Sequence, residues 1–223
     1  MQSTARLTSA FIPAQAGIRV EATIVRRLGL AEFVPTYQAM RGFTEDRNAK
    51  TPDELWVLEH PPVYTVGIAG RAEHFPRSGE VPIERIDRGG QITYHGPGQA
   101  IVYALVDLAR RGLTVRDMVS LIERAVIELL GAHCVGAERR KGAPGVYVDR
   151  AKIAALGLRV RRGCCYHGVA LNVDMDLAPF SAIDPCGYPG LAVTQTRAHG
   201  VVVGAEEMGD ELARRIAGLI EDK

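Results

Sequence analysis

Between Gly145 and Val173 three apolar segments follow one another with almost no chain between them. Gly145–Val148, Ala151–Val160 and Tyr166–Val173 are separated by two and by five residues. A parallel pair needs a crossover of a dozen or more residues, so strands this close pair as antiparallel hairpins. Helical segments occur too, but unevenly: the chain does not alternate strand and helix as a doubly wound parallel fold would. The expected class is therefore α/β of the α+β type. It is a single domain with a mixed, largely antiparallel sheet flanked by helices.

The remaining elements read as follows. "IRVEATIVRRLG" (18–29) carries β-branched residues and predicts one strand. Phe33, Tyr37, Met40 and Phe43 recur at helical spacing, predicting a helix from about Ala31 to Asn48. "ELWVLEH" predicts a strand stopped by Pro61–Pro62, with "VYTVG" resuming after the turn. "ITY" and "AIVYALVDL" predict strands paired around a turn at His95–Gly98. "TVRDMVSLIERAVIELL" predicts a helix capped by Thr114 and ended by Gly131, with Met118, Leu121, Ile122, Val126 and Leu129 as its apolar stripe. A last helix is expected over about Ala205–Ile220. Residues 1–17 lack a sustained secretory hydrophobic region and are expected to form a disordered arm, leaving 18–223 as the folded domain.

Composition narrows the function classes. A formal net charge of +1 gives no electrostatic argument for nucleic acid or a membrane surface. The four cysteines, Cys134, Cys164, Cys165 and Cys186, include no CxxC pair and no Cys/His ligand spacing, so no metal is expected. Cys164 and Cys165 would point to opposite faces of a strand, which disfavours a disulfide between them and agrees with a reducing cytoplasmic setting.

Four segments carry candidate chemistry. "RGGQITYHGPGQ" (88–99) packs four glycines beside Arg88, Tyr94 and His95. It is either a glycine-rich hairpin turn or a loop laid along an extended ligand, and it matches neither nucleotide-binding glycine signature. In "GVYVDRAKIAALG" (145–157), Lys152 sits among apolar residues. It is an edge lysine, or a pocket lysine whose altered proton affinity suits acid–base work. In "YHGVALNVDMD" (166–176), His167 reads as a hydrogen-bonded structural histidine or a site residue. In "IDPCGYPG" (183–190), Cys186 lies between proline and glycine on a rigid loop, where it is either structural or a nucleophile.

Together with "EHPPVYTVG", these collinear segments closely resemble the octanoyltransferase family of lipoate biosynthesis. The resemblance runs from about Leu55 to Thr194. It implies the fold of the biotin and lipoate ligase catalytic domain. The activity implied is transfer of an octanoyl group from acyl carrier protein to a lysine of a lipoyl domain, in 2-oxoacid dehydrogenase complexes and glycine cleavage H protein. Cys186 is then the nucleophile, forming a thioester intermediate, and Lys152 its acid–base partner. The acyl pocket falls on Arg88, Gly89, Gly90, Gln91, Ile92, Thr93, Tyr94 and His95, on Ala155, Leu156 and Gly157, and on Gly168, Val169 and Ala170. Tyr94 and His95 are expected to close the thioester end, and His95 and His167 to orient the lysine or touch the thioester. No cofactor is implied, because the donor arrives activated. Two rivals stand beside this reading: an ATP-dependent lipoate or biotin ligase, and a non-catalytic binder of acylated carrier or lipoyl domains. "DPCGYPG" favours the transferase, since an acyl-adenylate enzyme has no use for a cysteine nucleophile.

Overall fold

The computed structural model describes residues 15–20, 23–76, 79, 81–184 and 190–223, with side chains from Thr23 onward. Eight strands form one sheet: β1 (Gln15–Val20), β2 (Thr23–Leu30), β3 (Asp53–Glu59), β7 (Gln99–Asp107), β8 (Glu138–Arg139), β9 (Val146–Val148), β10 (Ala151–Arg161) and β11 (Cys164–Asn172). Their spatial order is β1-β2-β3-β7-β11-β10-β9-β8, and only β2 with β3 runs parallel. A second sheet holds β4 (Val63–Val66), β5 (Ile83–Arg85) and β6 (Ile92–His95), in the order β5-β4-β6.

Two faces of the large sheet are buried differently. Helices α2 (Val115–Ala132) and α3 (Ala205–Glu221) cover one face, over Leu55, Val57, Val102, Ala104, Val169 and Leu171. Helix α1 (Phe33–Glu45) covers the other, where Met40 meets Trp56, Leu58, Ile101, Tyr103, Leu105, Tyr166 and Ala170. The small sheet lies beside α1 on that second face, with Phe33 packed near Val63 and Ile86. Alternation along each strand divides its side chains between the two layers. Helix α2 has the expected stripe and a capping box: the Asp117 amide donates to Thr114 Oγ1, and the Thr114 amide donates to Asp117 Oδ2.

Three expectations are corrected. The segment read as one strand over 18–29 is the hairpin β1–β2, because the chain reverses after Val20. Strand β1 begins at Gln15, inside the segment expected to be an arm, while residues 1–14 lie outside the described residues. The segments around His95–Gly98 do not pair with each other: β6 pairs with β4, and β7 lies between β3 and β11. The turn therefore carries the chain from one sheet to the other and separates two layers. Pattern alone cannot distinguish such a turn from a hairpin, because both join apolar alternating runs through glycine and proline.

One buried carboxylate ties the far end of the sheet together. Asp53 is 0% exposed and takes ion pairs from Arg47 at 2.6 Å, Arg110 at 2.6 Å and Arg111 at 2.9 Å. It also accepts the Asp107 amide at 2.9 Å. Arg47 is itself buried, so Asp53→Asn leaves a cation without its counter-charge and is expected to cost about 3 kcal/mol. Urea unfolding of the variant beside the parent measures this, and an unchanged midpoint would show the cluster to be energetically neutral.

Candidate active site

A single extra residue places Lys152 in the site. Along β10 the pairing with β9 shifts by one between Lys152 and Ala154, a β-bulge at Ile153. Ile153 and Ala154 both pack into the helix-covered core, so the alternation is broken there. The bulge turns Lys152 onto the same face as Ala155 and Gly157, toward the small sheet. Lys152 is 4% exposed, with Nζ donating to the Pro144 carbonyl at 3.0 Å and lying 5.3 Å from the centre of the Tyr147 ring. Gly145 makes room for it. With φ +135, a Cβ there would come within 2.9 Å of Lys152 Cε and 2.8 Å of the Ala154 carbonyl oxygen.

From this lysine two adjoining hollows lie between the two sheets, and together they are the slot. Lys152, Ala155, Thr93, Gln99, Asn172, Phe180 and Val193 surround its narrow end. Thr93 and Ala155 also line a larger, mainly apolar hollow. The floor is two cross-strand rows, small on β10 and β11: Ala155 and Ala170 beside Ile101, then Gly157 and Gly168 beside Tyr103. At Gly157 a Cβ would stand 3.0 Å from both Arg88 Cδ and the Gly89 oxygen, so the 88–91 loop can lie against the strand only because no side chain is there. The roof comes from β6 and the loop before it. Arg88, Gly90, Gln91, Ile92, Thr93 and His95 face the slot, and Leu156 and Val169 border it while their side chains pack into the helix-covered core. Two expected lining residues do neither. Gly89 instead donates its amide to the Leu158 carbonyl at 2.9 Å. Tyr94 alternates to the other side of β6, where its ring meets Tyr64 and, edge-on, Phe180.

A one-way hydrogen-bond chain supports the roof and reaches the lysine strand. Arg88 Nη2 donates to the Thr65 hydroxyl at 2.9 Å and to the Thr65 carbonyl at 2.6 Å. Thr65 Oγ1 lies 3.2 Å from His95 Nε2, and His95 Nδ1 lies 2.7 Å from Gln99 Oε1. Gln99 Nε2 donates to Asn172 Oδ1 at 2.9 Å, and Asn172 Nδ2 to the Thr194 carbonyl at 3.0 Å. The Thr194 amide donates to the Lys152 carbonyl at 3.0 Å, and the Lys152 amide to Ala192 at 2.8 Å. The Gln99 oxygen can only accept, so His95 donates from Nδ1, and as a neutral imidazole it accepts from the Thr65 hydroxyl at Nε2. Burial, helped by His60 and Arg88, lowers the His95 pKa to about 3. His95 thus acts on the lysine strand through Gln99 and Asn172 rather than by direct contact.

His167 lies elsewhere. It stands opposite Leu158, six residues along β10 from Lys152. Its φ of +64 is in the left-handed region, which costs a residue with a Cβ roughly 1–3 kcal/mol. That conformation puts His167 on the same side as its neighbour Tyr166, stacked on the Tyr37 and Tyr166 rings, with Nε2 3.4 Å from Asp87 Oδ1. Tyr37 and Tyr166 donate to the same carboxylate. Burial raises the Asp87 pKa, but these hydrogen bonds outweigh it and hold the carboxyl well below the usual range. Burial lowers the His167 pKa, with Asp87 opposing.

Cys186 lies outside the described residues, within 185–189. Its flanks are described. Phe180, upstream, and Val193, downstream, both line the Lys152 end of the slot, and Val193 bridges directly to Lys152. The other three cysteines are free thiols, Cys165 in the core, Cys164 buried beside it and Cys134 exposed. Among the described residues no cluster of His, Cys, Asp and Glu is arranged to hold a metal, and no helix is long and apolar enough to cross a membrane. The bulge at Ile153 and the Gln99–Asn172–Thr194 relay were not anticipated from sequence.

The described residues thus form a two-sheet α/β domain with a buried lysine at one end of a mainly apolar slot. Residues 38–217 match the family model described as the lipoyl protein ligase A/B catalytic domain. An octanoyltransferase of Dechloromonas aromatica is 56% identical over 200 residues, covering 90% of this chain and 98% of that protein. One of Aromatoleum aromaticum is 58% identical over 199 residues, covering 89% of this chain and 86% of its own. Among solved structures, a lipoate–protein ligase A bound with ATP superposes with a TM-score of 0.70 at 16% identity, over 86% of this chain and 84% of that one. The biotin protein ligase of Aquifex aeolicus gives a TM-score of 0.54 at 12% identity, over 88% and 69%. The structural likenesses bear on fold alone. The chain belongs to the lipoyl protein ligase A/B catalytic domain family, and within it to the octanoyltransferases, which are acyltransferases.

The buried histidines set an acid limit on stability. Burial lowers the His60 pKa to about 4 and the His95 pKa to about 3, against 6.5 for an exposed imidazole. Above pH 6.5 both stay neutral whether folded or not, and cost nothing. Below it the unfolded chain takes up protons that the folded chain refuses, at up to about 1.4 kcal/mol per pH unit for each histidine. Stability is therefore expected to fall steadily from pH 6.5 toward 4, and His95→Asn to flatten part of that slope. Thermal melts across this range check it, and a flat profile in the parent would contradict it.

Proposed function

We propose that this chain transfers an octanoyl group from the thioester of acyl carrier protein to a lysine of a lipoyl domain, through a thioester on Cys186. Octanoyl is the acyl group in the names of its relatives, and the slot suits it: a mainly apolar hollow with an amine at one end. The observation that carries the reading is Lys152, turned by the bulge into the narrow end of that slot, between Phe180 upstream and Val193 downstream of Cys186.

In the first half-reaction the Cys186 thiolate, favoured by the Lys152 ammonium, attacks the carbonyl carbon of the donor. A C–S bond to Cys186 forms and the bond to the pantetheine sulfur breaks. The departing sulfur takes its proton from Lys152, which is left neutral. In the second, the neutral Lys152 amine removes a proton from the acceptor ammonium, which then attacks the Cys186 thioester. The amide forms, the Cys186 thiolate leaves, and the acceptor nitrogen's second proton passes to solvent. The dyad ends as it began, with Lys152 charged. The donor supplies the activation, so no nucleotide enters. The wider partner assignment, carrier protein as donor and lipoyl domains as acceptors, rests on the same reading, as does a cytoplasmic setting.

Incubation with octanoyl carrier protein in the absence of ATP is expected to leave an eight-carbon adduct that peptide mapping assigns to Cys186. Adding a lipoyl domain should discharge it onto the acceptor lysine. Cys186→Ala should lose the adduct, and Lys152→Ala should lower kcat/KM by at least about a hundredfold. Strict dependence on ATP would favour the ligase rival, and wild-type turnover by Cys186→Ala would eliminate the mechanism.

A further inference from the structure

We infer that the His167 ring is the end-stop that sets acyl-chain length, so that His167, rather than the slot's apolar lining, selects eight carbons. The inference rests on the acyl-transfer reading above and deepens it.

The strands themselves give the scale. Asn172 and Lys152 mark the narrow end, and Gly168 with Gly157 marks the last row of small residues. Along β11, Asn172 to Gly168 spans four steps of about 3.3 Å, or about 13 Å. An extended eight-carbon chain has seven carbon–carbon bonds of about 1.5 Å, each advancing about 1.25 Å, so it spans about 9 Å. With the thioester linkage at the lysine end, its terminal methyl falls at the Gly157–Gly168 row. The next residue on that face of β10 is Arg159, and its counterpart on β11 is Tyr166, where glycine gives way to bulk.

The stop at that point is His167. Strict alternation would have pointed residue 167 into the opposite, helix-covered layer, as it does Cys165 and Val169. The left-handed backbone at φ +64 instead swings the ring across the end of the slot. It is braced from behind by Tyr37, with ring centres 5.5 Å apart, and held edge-on by Tyr103 at 6.1 Å. Behind it stand the packed Tyr37 and Tyr166 rings and the Asp87 carboxylate, so space released by removing the imidazole opens onto the slot that the ring lines.

The test compares acyl-pantetheine thioesters of six to twelve carbons as donors for the wild-type enzyme, His167→Gly and His167→Asn. Glycine adopts the left-handed backbone without strain, and asparagine tolerates it while keeping a polar group toward Asp87, so one variant covers a folding failure of the other. The ratio of kcat/KM for ten carbons over eight is expected to rise at least about tenfold in the variants, since two more methylenes become buried. A uniform loss at every length, with that ratio unchanged, would overturn the inference and leave His167 a structural residue. Binding of the free fatty acids over the same lengths separates this from the parent reading. A length shift in binding with no transfer by the wild type would sink the transferase reading and keep the stop. No shift in either measurement sinks the stop itself.

Discussion

Which face of β10 carries Lys152 decides whether an amine reaches the slot between the sheets. In an uninterrupted strand Lys152 would share a side with Ala154 and Leu158, inside the helix-covered core, where a lone ammonium is costly to bury. The extra residue at Ile153 moves it to the other side, in line with Ala155 and Gly157 and facing the second sheet. A second break in alternation, at His167 on the neighbouring strand, turns an imidazole onto the same face. The slot is the regular sheet between these two irregularities. Backbone defects at both ends, and small side chains between them, convert a packed interface into a cavity.

Holding the roof at the right height is a matter of polar chemistry. Arg88 and His95 are both buried, and each is affordable only because a partner takes up its hydrogen-bonding capacity. The chain from Arg88 through Thr65, His95, Gln99 and Asn172 to the Lys152 strand fixes the small sheet against the large one, with a single direction of donation. Charging His95 would reverse one link, and its depressed proton affinity keeps that from happening at neutral pH. A lipoate–protein ligase A and a biotin protein ligase share the overall fold at 16% and 12% identity.

How much of this was legible in the sequence varies with the kind of information involved. The hairpins from Gly145 to Val173, the capped helix after Thr114 and the apolar stripe of α2 follow from local periodicity, and the structure has them. The lining of the slot followed from motif resemblance, apart from Gly89 and Tyr94, because alternation in β6 sends Thr93 and His95 inward and Tyr94 outward. The sheet change between His95 and Gln99 was not legible, since a turn between layers and a hairpin turn share the same residues. Neither irregularity could be read either. The bulge at Ile153 adds one apolar residue at the head of the apolar run Ile153–Leu156, and histidine at positive φ leaves no mark in a one-dimensional pattern.

The central claim is that the Lys152 ammonium faces the thiol of Cys186. The rate of Cys186 alkylation by iodoacetamide, followed against pH in the wild type and in Lys152→Ala, tests it without any substrate. A neighbouring ammonium stabilises the thiolate, so the wild-type profile should have its midpoint below the ordinary thiol value of about 8.5, and loss of the lysine should move it upward by about one pH unit or more. Superimposable profiles in the two proteins would mean that the amine and the sulfur do not meet, and the account would fail.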